Sequence, residues 1–180
     1  YYGDSIALVV AKSKKAIQEI KDLIQVEYEV RKPVFDPKEA LELTDYKVHE
    51  SGNAYRVEKI QREDVETAFK NSAHVVTNTY KTPAQEHAFL EPESALAYMD
   101  GERLIVHTGG QSVYDEYREI QLLLRIPKEN LRIISAYVGG GFGGKEDMSV
   151  QHHAALLSYL TKLPVKVTLT RQESLMVHPK

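Results

Sequence analysis

The chain has 180 residues, 42% of them apolar and 27% charged, with a formal net charge of −3, an ordinary globular composition long enough to bury a core in one large domain or two small ones. The negative balance removes the electrostatic case for nucleic acid or an anionic membrane surface, no apolar run approaches the roughly 20 residues of a membrane helix, and no signal-peptide pattern opens the chain. With no cysteine, disulfides, thiolate metal sites and cysteine nucleophiles are excluded, and cytoplasm is the default compartment.

In chain order, Ser5 to Ala11 (SIALVVA) reads as a buried strand. Ser13 caps a helix whose apolar positions are Ala16, Ile17, Ile20, Leu23 and Ile24. Val26, Tyr28 and Val30 alternate with Glu27 and Glu29, a strand pattern that completes a β-α-β unit. From Arg31 to Gly52 the prolines and charges lack periodicity, which predicts a long irregular connection and a boundary dividing 1–52 from 53–180. Strands are expected at Val57–Ile60 and Ala73–Tyr80, with a short helix at Asp64–Asn71 between them. Ser94–Met99 and Arg103–His107 flank Asp100-Gly101, a hairpin signal.

After Gly109-Gly110 comes a helix with the inner stripe Val113, Tyr117, Ile120 and Leu124, stopping before Ile126-Pro127. A strand at Leu131–Tyr137, a helix at Met148–Leu160 and a strand at Val165–Thr170 follow. The chain opens straight into a strand without Met and stops after another, so a fragment of a longer protein is expected.

Between the Leu131–Tyr137 strand and the Met148–Leu160 helix lies Gly139-Gly140-Gly141-Phe142-Gly143-Gly144-Lys145-Glu146, where five of the ten glycines fall within six residues. Glycine loses more backbone entropy on folding than other residues, so this density points to close backbone approach or to φ values that side chains forbid. Free N–H groups opening onto a helix start would suit an anionic or oxo-rich ligand. The loop satisfies G-x-G-x-x-G, but the acid that a dinucleotide fold needs at the end of the next strand is missing; Thr168-Leu169-Thr170-Arg171 stands there and Glu173 comes late. It also fits G-x-x-x-x-G-K, but Glu146 replaces the Mg²⁺-binding Ser/Thr and would repel phosphates. A plain tight turn between strand and helix is the remaining non-functional reading.

The segment Val138–Glu146 (VGGGFGGKE) resembles the corresponding loop of the molybdenum hydroxylases, the xanthine dehydrogenases, aldehyde oxidases and their relatives. Further motifs stand in the family's order. Gln85-Glu86-His87-Ala88-Phe89-Leu90-Glu91-Pro92 resembles the Q-x-H-x-x-L-E-P entry to the molybdopterin-binding domain. Thr108-Gly109-Gly110-Gln111 resembles the S/T-x-x-Q element, and Pro164–Val167 with Thr170–Glu173 the P-V-K/R…R-x-E strand. Gly3–Ala11 through Val26–Glu29 resembles the closing half of an a/b hammerhead domain. The fold this implies is α+β: part of a hammerhead-like domain, then the first part of a molybdopterin-binding domain with mixed sheets and flanking helices.

The resemblance implies the molybdenum-binding subunit of a xanthine dehydrogenase-like hydroxylase, which inserts water-derived oxygen into a C–H bond of a purine or related N-heterocycle. An aldehyde oxidoreductase of the same family is one alternative; a nucleotide-binding module using the glycine loop and a non-catalytic scaffold are others. The implied cofactor is molybdenum-molybdopterin, plain or as the cytosine dinucleotide, with [2Fe–2S] clusters and FAD on other domains or subunits of an oligomeric enzyme. Gln111 would hydrogen-bond an oxo ligand of molybdenum through its side-chain amide. Phe142, with Gly143, would offer backbone N–H groups to the apical oxo ligand, Gly141 lying in the same cradle. Glu146 occupies the position associated with purine-hydroxylating members, where a carboxylate binds the heterocycle and stabilises charge building on it.

The plainer reading of Glu146 and Asp147 is that both serve the dipole of the following helix; for Asp147 that reading is preferred. His152 and His153 are adjacent and expected on different sides of a helix, unsuited to a metal pair. His87 and Glu91 are expected in a structural turn, and Lys145 to be solvated or packing. The family's general-base Glu, later cofactor loops and substrate Arg belong downstream of this segment, so the isolated 180 residues are expected to be inactive and to hold no molybdenum.

Overall fold

The computed structural model describes residues 3–178. In chain order the elements are α1 (Lys14–Leu23), α2 (Pro37–Glu42), α3 (Val65–Asn71), β1 (Ser94–Asp100), β2 (Arg103–Thr108), α4 (Val113–Leu124), β3 (Leu131–Ser135), α5 (Gln151–Thr161), β4 (Val165–Thr168) and α6 (Arg171–Val177). Contacts divide the chain into two compact units, one running to Ile24 and resuming at Thr82, the other being Gln25–Lys81.

The larger unit is built on a four-stranded mixed sheet in the order β3-β2-β1-β4. β1 and β2 form the hairpin expected at Asp100-Gly101, with Asp100 opposite Arg103. Gly101 takes φ +61°, the positive φ that a two-residue hairpin turn requires at its first central position. β2 and β3 are parallel, joined through α4, whereas β4 runs antiparallel to β1. Helices α4 and α5 cover one face of the sheet. Ala95, Ala97, Leu104, Val106 and Leu131 from the strands meet Ile120, Val150, Ala154 and Ala155 in a single core. Removing this much apolar side chain from water stabilises the unit by about 1.5–3 kcal/mol for each large residue buried.

The ends of the helices are written locally. Ser13 caps α1 through its Oγ, and α4 ends with Arg125 in the left-handed conformation just before Ile126-Pro127. In the smaller unit Asp36 caps α2, with Pro37 in its first turn, and Asp64 caps α3. Asn53 ties its neighbours together: its Oδ1 accepts from Val48 N, and its Nδ2 donates to Ala40 O and Tyr46 O.

Four expected strands are absent among the described residues: 5–11, 26–30, 57–60 and 73–80 carry no ladder. Side-chain alternation defines two faces, but a strand forms only when another backbone completes its hydrogen bonds. These stretches lack that partner, and their apolar side chains stay open to solvent, Val30 at 90% and Ile60 at 95%. The expected β-α-β unit is therefore reduced to α1.

Four further corrections concern boundaries. The stretch from Arg31 to Gly52 contains α2. β3 stops at Ser135, and β4 stops at Thr168 because Thr170 starts α6. Thr170 and Glu173 form a reciprocal capping box there, so Arg171-Gln172-Glu173 is a first helical turn and not a strand. Helix α5 begins at Gln151, with no acidic residue in its first turn. Asp147 is therefore not the dipole partner that the preferred reading made it, because the chain between Asp147 and Gln151 is loop.

Among the described residues no helix is long and apolar enough to cross a membrane.

Candidate functional site

The topology brings Gln111 to the glycine loop. β2 and β3 are neighbours running the same way, so the segments leaving their carboxyl ends, Gly109–Ser112 and 136–150, emerge side by side. A crevice outside the carboxyl ends of parallel strands is where open sheets commonly bind ligands. Ala136 N donates to Thr108 O (2.7 Å) and Gln111 N to Lys145 O (2.8 Å), which fastens one segment to the other.

The glycine loop closes on itself as a tight turn. Gly144 N donates to Gly141 O at 2.7 Å, and the two residues between have φ +54° (Phe142) and +89° (Gly143). Positive φ at both central positions is the signature of a type I′ turn. Gly143 meets that demand at no steric cost, whereas the left-handed region costs Phe142 about 1–2 kcal/mol. A bulky residue held there marks a place where the surroundings over-determine the backbone. The Phe142 ring is 74% exposed and folds over Gly140, where a Cβ would sit 3.1 Å from the ring.

Gln111 is locked to this turn through its amide oxygen. Its Oε1 accepts from Gly143 N at 3.2 Å and from Lys145 N at 3.3 Å. A Cβ on Gly141 would lie only 2.2 Å from that oxygen, so glycine is what lets the amide reach its place. With the oxygen committed to two donors, the Gln111 NH₂ group is left as a donor with no protein acceptor among the described residues. The Phe142 N–H is likewise unengaged among them, while the Gly143 N–H belongs to Gln111. Glu146 is exposed, its N–H bonded to Gly143 O at 3.3 Å. The loop is therefore not a bare backbone opening on a helix start, because α5 begins well beyond Gly144.

Beneath the loop lies a layer of aromatic and ionic side chains, among them His87, Glu91 and Lys145. Gly144 rests on the rings of His87 and Phe89, where a Cβ would meet the His87 ring at 2.7 Å. Phe89 is 1% exposed, with Lys145 Nζ 4.5 Å above its ring. Lys145 is buried rather than solvated, its Nζ 3.9 Å from a Glu91 oxygen. Arg171 holds Leu90 O (2.9 Å) and Phe89 O through Nη2. His178 sits edge-on to Phe89 and between two carboxylates, 3.2 Å from Glu86 and 2.6 Å from Glu93. Both its ring nitrogens thus face carboxylates, while His87 meets the His178 ring edge-on with its own Nδ1 buried and unpartnered among the described residues; the ligand atoms of Glu86, His87 and His178 cluster closely enough for a metal.

Two residues that sequence reasoning missed are Glu116 and Gln151, both fully or nearly buried between α4 and α5. Burial raises the Glu116 carboxyl above the usual carboxylate range, against hydrogen bonds from Gln151 and Thr108 that pull it down. A cleft of about 330 Å³ opens beside Gln151, lined in part by Glu91, His107, Thr108, Tyr137, Lys145 and Asp147.

The rings of His152 and His153 meet at 3.9 Å, contrary to the expectation of separate sides. Neighbours about 100° apart on a helix can still lean together when both side chains are long. Burial, then the neighbouring His153, pushes His152 down to about 4, and burial lowers His153 as well. A folded-state value below the unfolded 6.5 means that the folded protein binds fewer protons across that interval. Stability from His152 is thus present above pH 6.5 and lost as pH falls toward 4, by about 1–2 kcal/mol after allowance for its part exposure. Urea midpoints at about pH 7.5 and about pH 5 should therefore differ more for the wild type than for His152→Gln; equal falls would contradict this assignment.

A model of the molybdopterin cofactor-binding domain matches residues 48–180. The nicotinate dehydrogenase large molybdopterin subunit of Eubacterium barkeri is 41% identical over 180 residues, covering 99% of this chain and 42% of that subunit. A probable xanthine dehydrogenase subunit of Bacillus subtilis is 35% identical over 175 residues, covering 97% of this chain and 24% of its own length. An aldehyde oxidoreductase molybdenum-binding subunit, PaoC of Escherichia coli O157:H7, is also 35% identical, over 95% of this chain and 23% of that protein. This chain thus spans less than half the length of each of these relatives. The match takes in both Gln111 and the glycine loop: the chain belongs to the molybdopterin cofactor-binding domain family.

Proposed function

We propose that this chain supplies one wall of the cofactor site in a molybdenum-dependent oxidoreductase that hydroxylates a purine or related N-heterocycle, with water as the oxygen source. The observation that carries this reading is the Gln111 amide, whose oxygen is pinned by two loop N–H groups so that its NH₂ must act as a donor. Beside it stands the Phe142 N–H, unengaged among the described residues. Two preorganised donors in a glycine cradle suit an oxygen ligand carrying negative charge, because such donors need no reorganisation when charge develops. The residues therefore fit the oxygen-bearing end of the cofactor. When bound, molybdenum-molybdopterin supplies the oxygen-transferring, two-electron centre.

The protein's part is to bind and orient. Gln111 and Phe142 hold the cofactor's oxygen by hydrogen bonds, Gly141 and Gly143 allow the approach, and the Phe142 ring packs beside the pterin. Glu146, exposed at the exit of the turn, faces the heterocycle and accepts a hydrogen bond from its ring N–H. Iron–sulfur and FAD domains or subunits of an oligomeric enzyme take the electrons. The names of the nicotinate and xanthine relatives favour an N-heterocycle. The comparably similar aldehyde oxidoreductase keeps an aldehyde as the second reading.

Steady-state assay of the full-length holoenzyme on xanthine, nicotinate and an aromatic aldehyde separates them. Glu146→Ala should lower kcat/KM for the preferred heterocycle by roughly 10²-fold, in the range for loss of one group stabilising transition-state charge. Turnover of aldehyde should change little. An equal loss on all three substrates, or a wild type active on aldehyde alone, would overturn the role given to Glu146.

A further inference from the structure

Thr108, Glu116 and Gln151 form a buried chain of hydrogen bonds that runs from the segment carrying Gln111 to the end of the glycine loop. Gly110 N donates to Thr108 Oγ1 at 2.9 Å, and Thr108 Oγ1 donates to Glu116 Oε1 at 3.2 Å. Gln151 Nε2 donates to the same oxygen at 3.0 Å. The Gln151 Oε1 then accepts from Ser149 N and Val150 N, each at 3.0 Å. The donors run toward Glu116 from both sides, through Thr108 on one and through Gln151 on the other, so a single carboxyl oxygen joins two backbone segments.

Three observations separate this from ordinary packing. Glu116 and Ser158 are fully buried and Thr108 is 1% exposed, yet only Glu116 carries a carboxyl into the apolar seam between the helices. Gly110 has no side chain where a Cβ would lie 1.6 Å from Glu116 Oε1, so the backbone next to Gln111 is pressed directly onto that oxygen. Gln111 itself is reached through one more link, its N–H donating to Lys145 O at 2.8 Å. A carboxyl buried at this expense of solvation fixes the distance between the Gly110–Gln111 peptide and the Ser149–Val150 end of the loop.

We infer that Glu116 is a positioning residue for Gln111, setting where the Gln111 amide stands relative to the Phe142 turn. It touches neither substrate nor cofactor and acts through Thr108 and the Gly110 peptide. The inference rests on the cofactor reading above.

The test is a double-mutant cycle in the full-length holoenzyme with Glu116→Ala and Gln111→Ala, reading kcat, the paramagnetic resonance signal of the reduced molybdenum, and the unfolding midpoint. Glu116→Ala should lower kcat roughly 10–100-fold and shift the signal, the usual effect of removing a group that orients a metal's immediate neighbours. In the Gln111→Ala background it should lower kcat by no more than about twofold, because groups acting in one network are not additive. Glu116→Gln, which keeps the accepting oxygen, should retain most of kcat and the wild-type signal. If Glu116→Ala does not accumulate, Thr108→Val carries the same cycle, since it cuts the link from Gly110 while keeping the shape.

Additive losses, or a lower midpoint with unchanged kcat and signal, would overturn the inference while Gln111→Ala still upheld the cofactor reading. A Gln111→Ala enzyme with unchanged kcat and signal would overturn both.

Discussion

Alanine at Gly141 should leave the protein folded and take most of its activity. The added Cβ would stand 2.2 Å from Gln111 Oε1 and 2.7 Å from its Cδ. Gln111 is exposed, so a displaced amide can turn into solvent without disturbing the core, and the unfolding free energy should change by less than about 1 kcal/mol. What is lost is the pair of bonds from Gly143 N and Lys145 N, and with them the orientation of the Gln111 NH₂. A fall in kcat of roughly 10–100-fold is expected in the full-length enzyme, with the urea midpoint nearly unchanged. Gly109→Ala is the control, since a Cβ there meets nothing within 4 Å and its φ is not left-handed. A Gly141→Ala enzyme with a lowered midpoint and full activity per folded molecule would contradict this.

Alanine at Gly144 should do the reverse and strike stability first. Its Cβ would meet the His87 ring at 2.7 and 2.8 Å and Phe89 Cε1 at 3.0 Å. Neither ring can retreat. Phe89 is buried with Lys145 over its face, and His178 stands edge-on to both rings. Overpacking of this kind costs about 1–3 kcal/mol. The same alanine falls on the residue whose N–H closes the Phe142 turn, so activity should decline with the fold. Removing the obstruction should restore part of the loss: Gly144→Ala with His87→Ala should be less unstable than the two single losses added together. Strictly additive losses in the urea midpoint would show that the ring is not what the alanine meets.

The legible parts of the chain are those whose signals are local. Asp100-Gly101 announced its hairpin, and Ser13 and Asp64 announced their helices, because a turn or a cap is decided by the residues that form it. The glycine loop and Gln111 were legible as motifs, and the parallel pairing of β2 and β3 supplies the physical reason that they meet. The unformed strands at 5–11 and 73–80 failed because pairing depends on a distant backbone that side-chain alternation does not specify. Helix α6 carried a readable signal, since Thr170-x-x-Glu173 is a capping-box pattern, but the apolar alternation of Val165 and Val167 outweighed it.

Glu116 was hidden by its chemistry. It lies three residues after Val113 and four before Ile120, on the helix's inner stripe, where a charged residue is the exception and so marks a buried network. Gln151 likewise shares a face with Ala154, Ala155 and Ser158. For Lys145 the sequence left solvated and packing readings side by side, because its burial comes from Phe89 and Glu91, more than fifty positions away in the chain.

The most direct test of the proposed cofactor wall is the paramagnetic resonance signal of molybdenum in the reduced full-length holoenzyme, wild type against Gln111→Ala. If the amide NH₂ hydrogen-bonds the cofactor's oxygen, the variant keeps its metal or part of it and its signal shifts. A Gln111→Ala enzyme with full molybdenum and a signal identical to wild type would contradict that account.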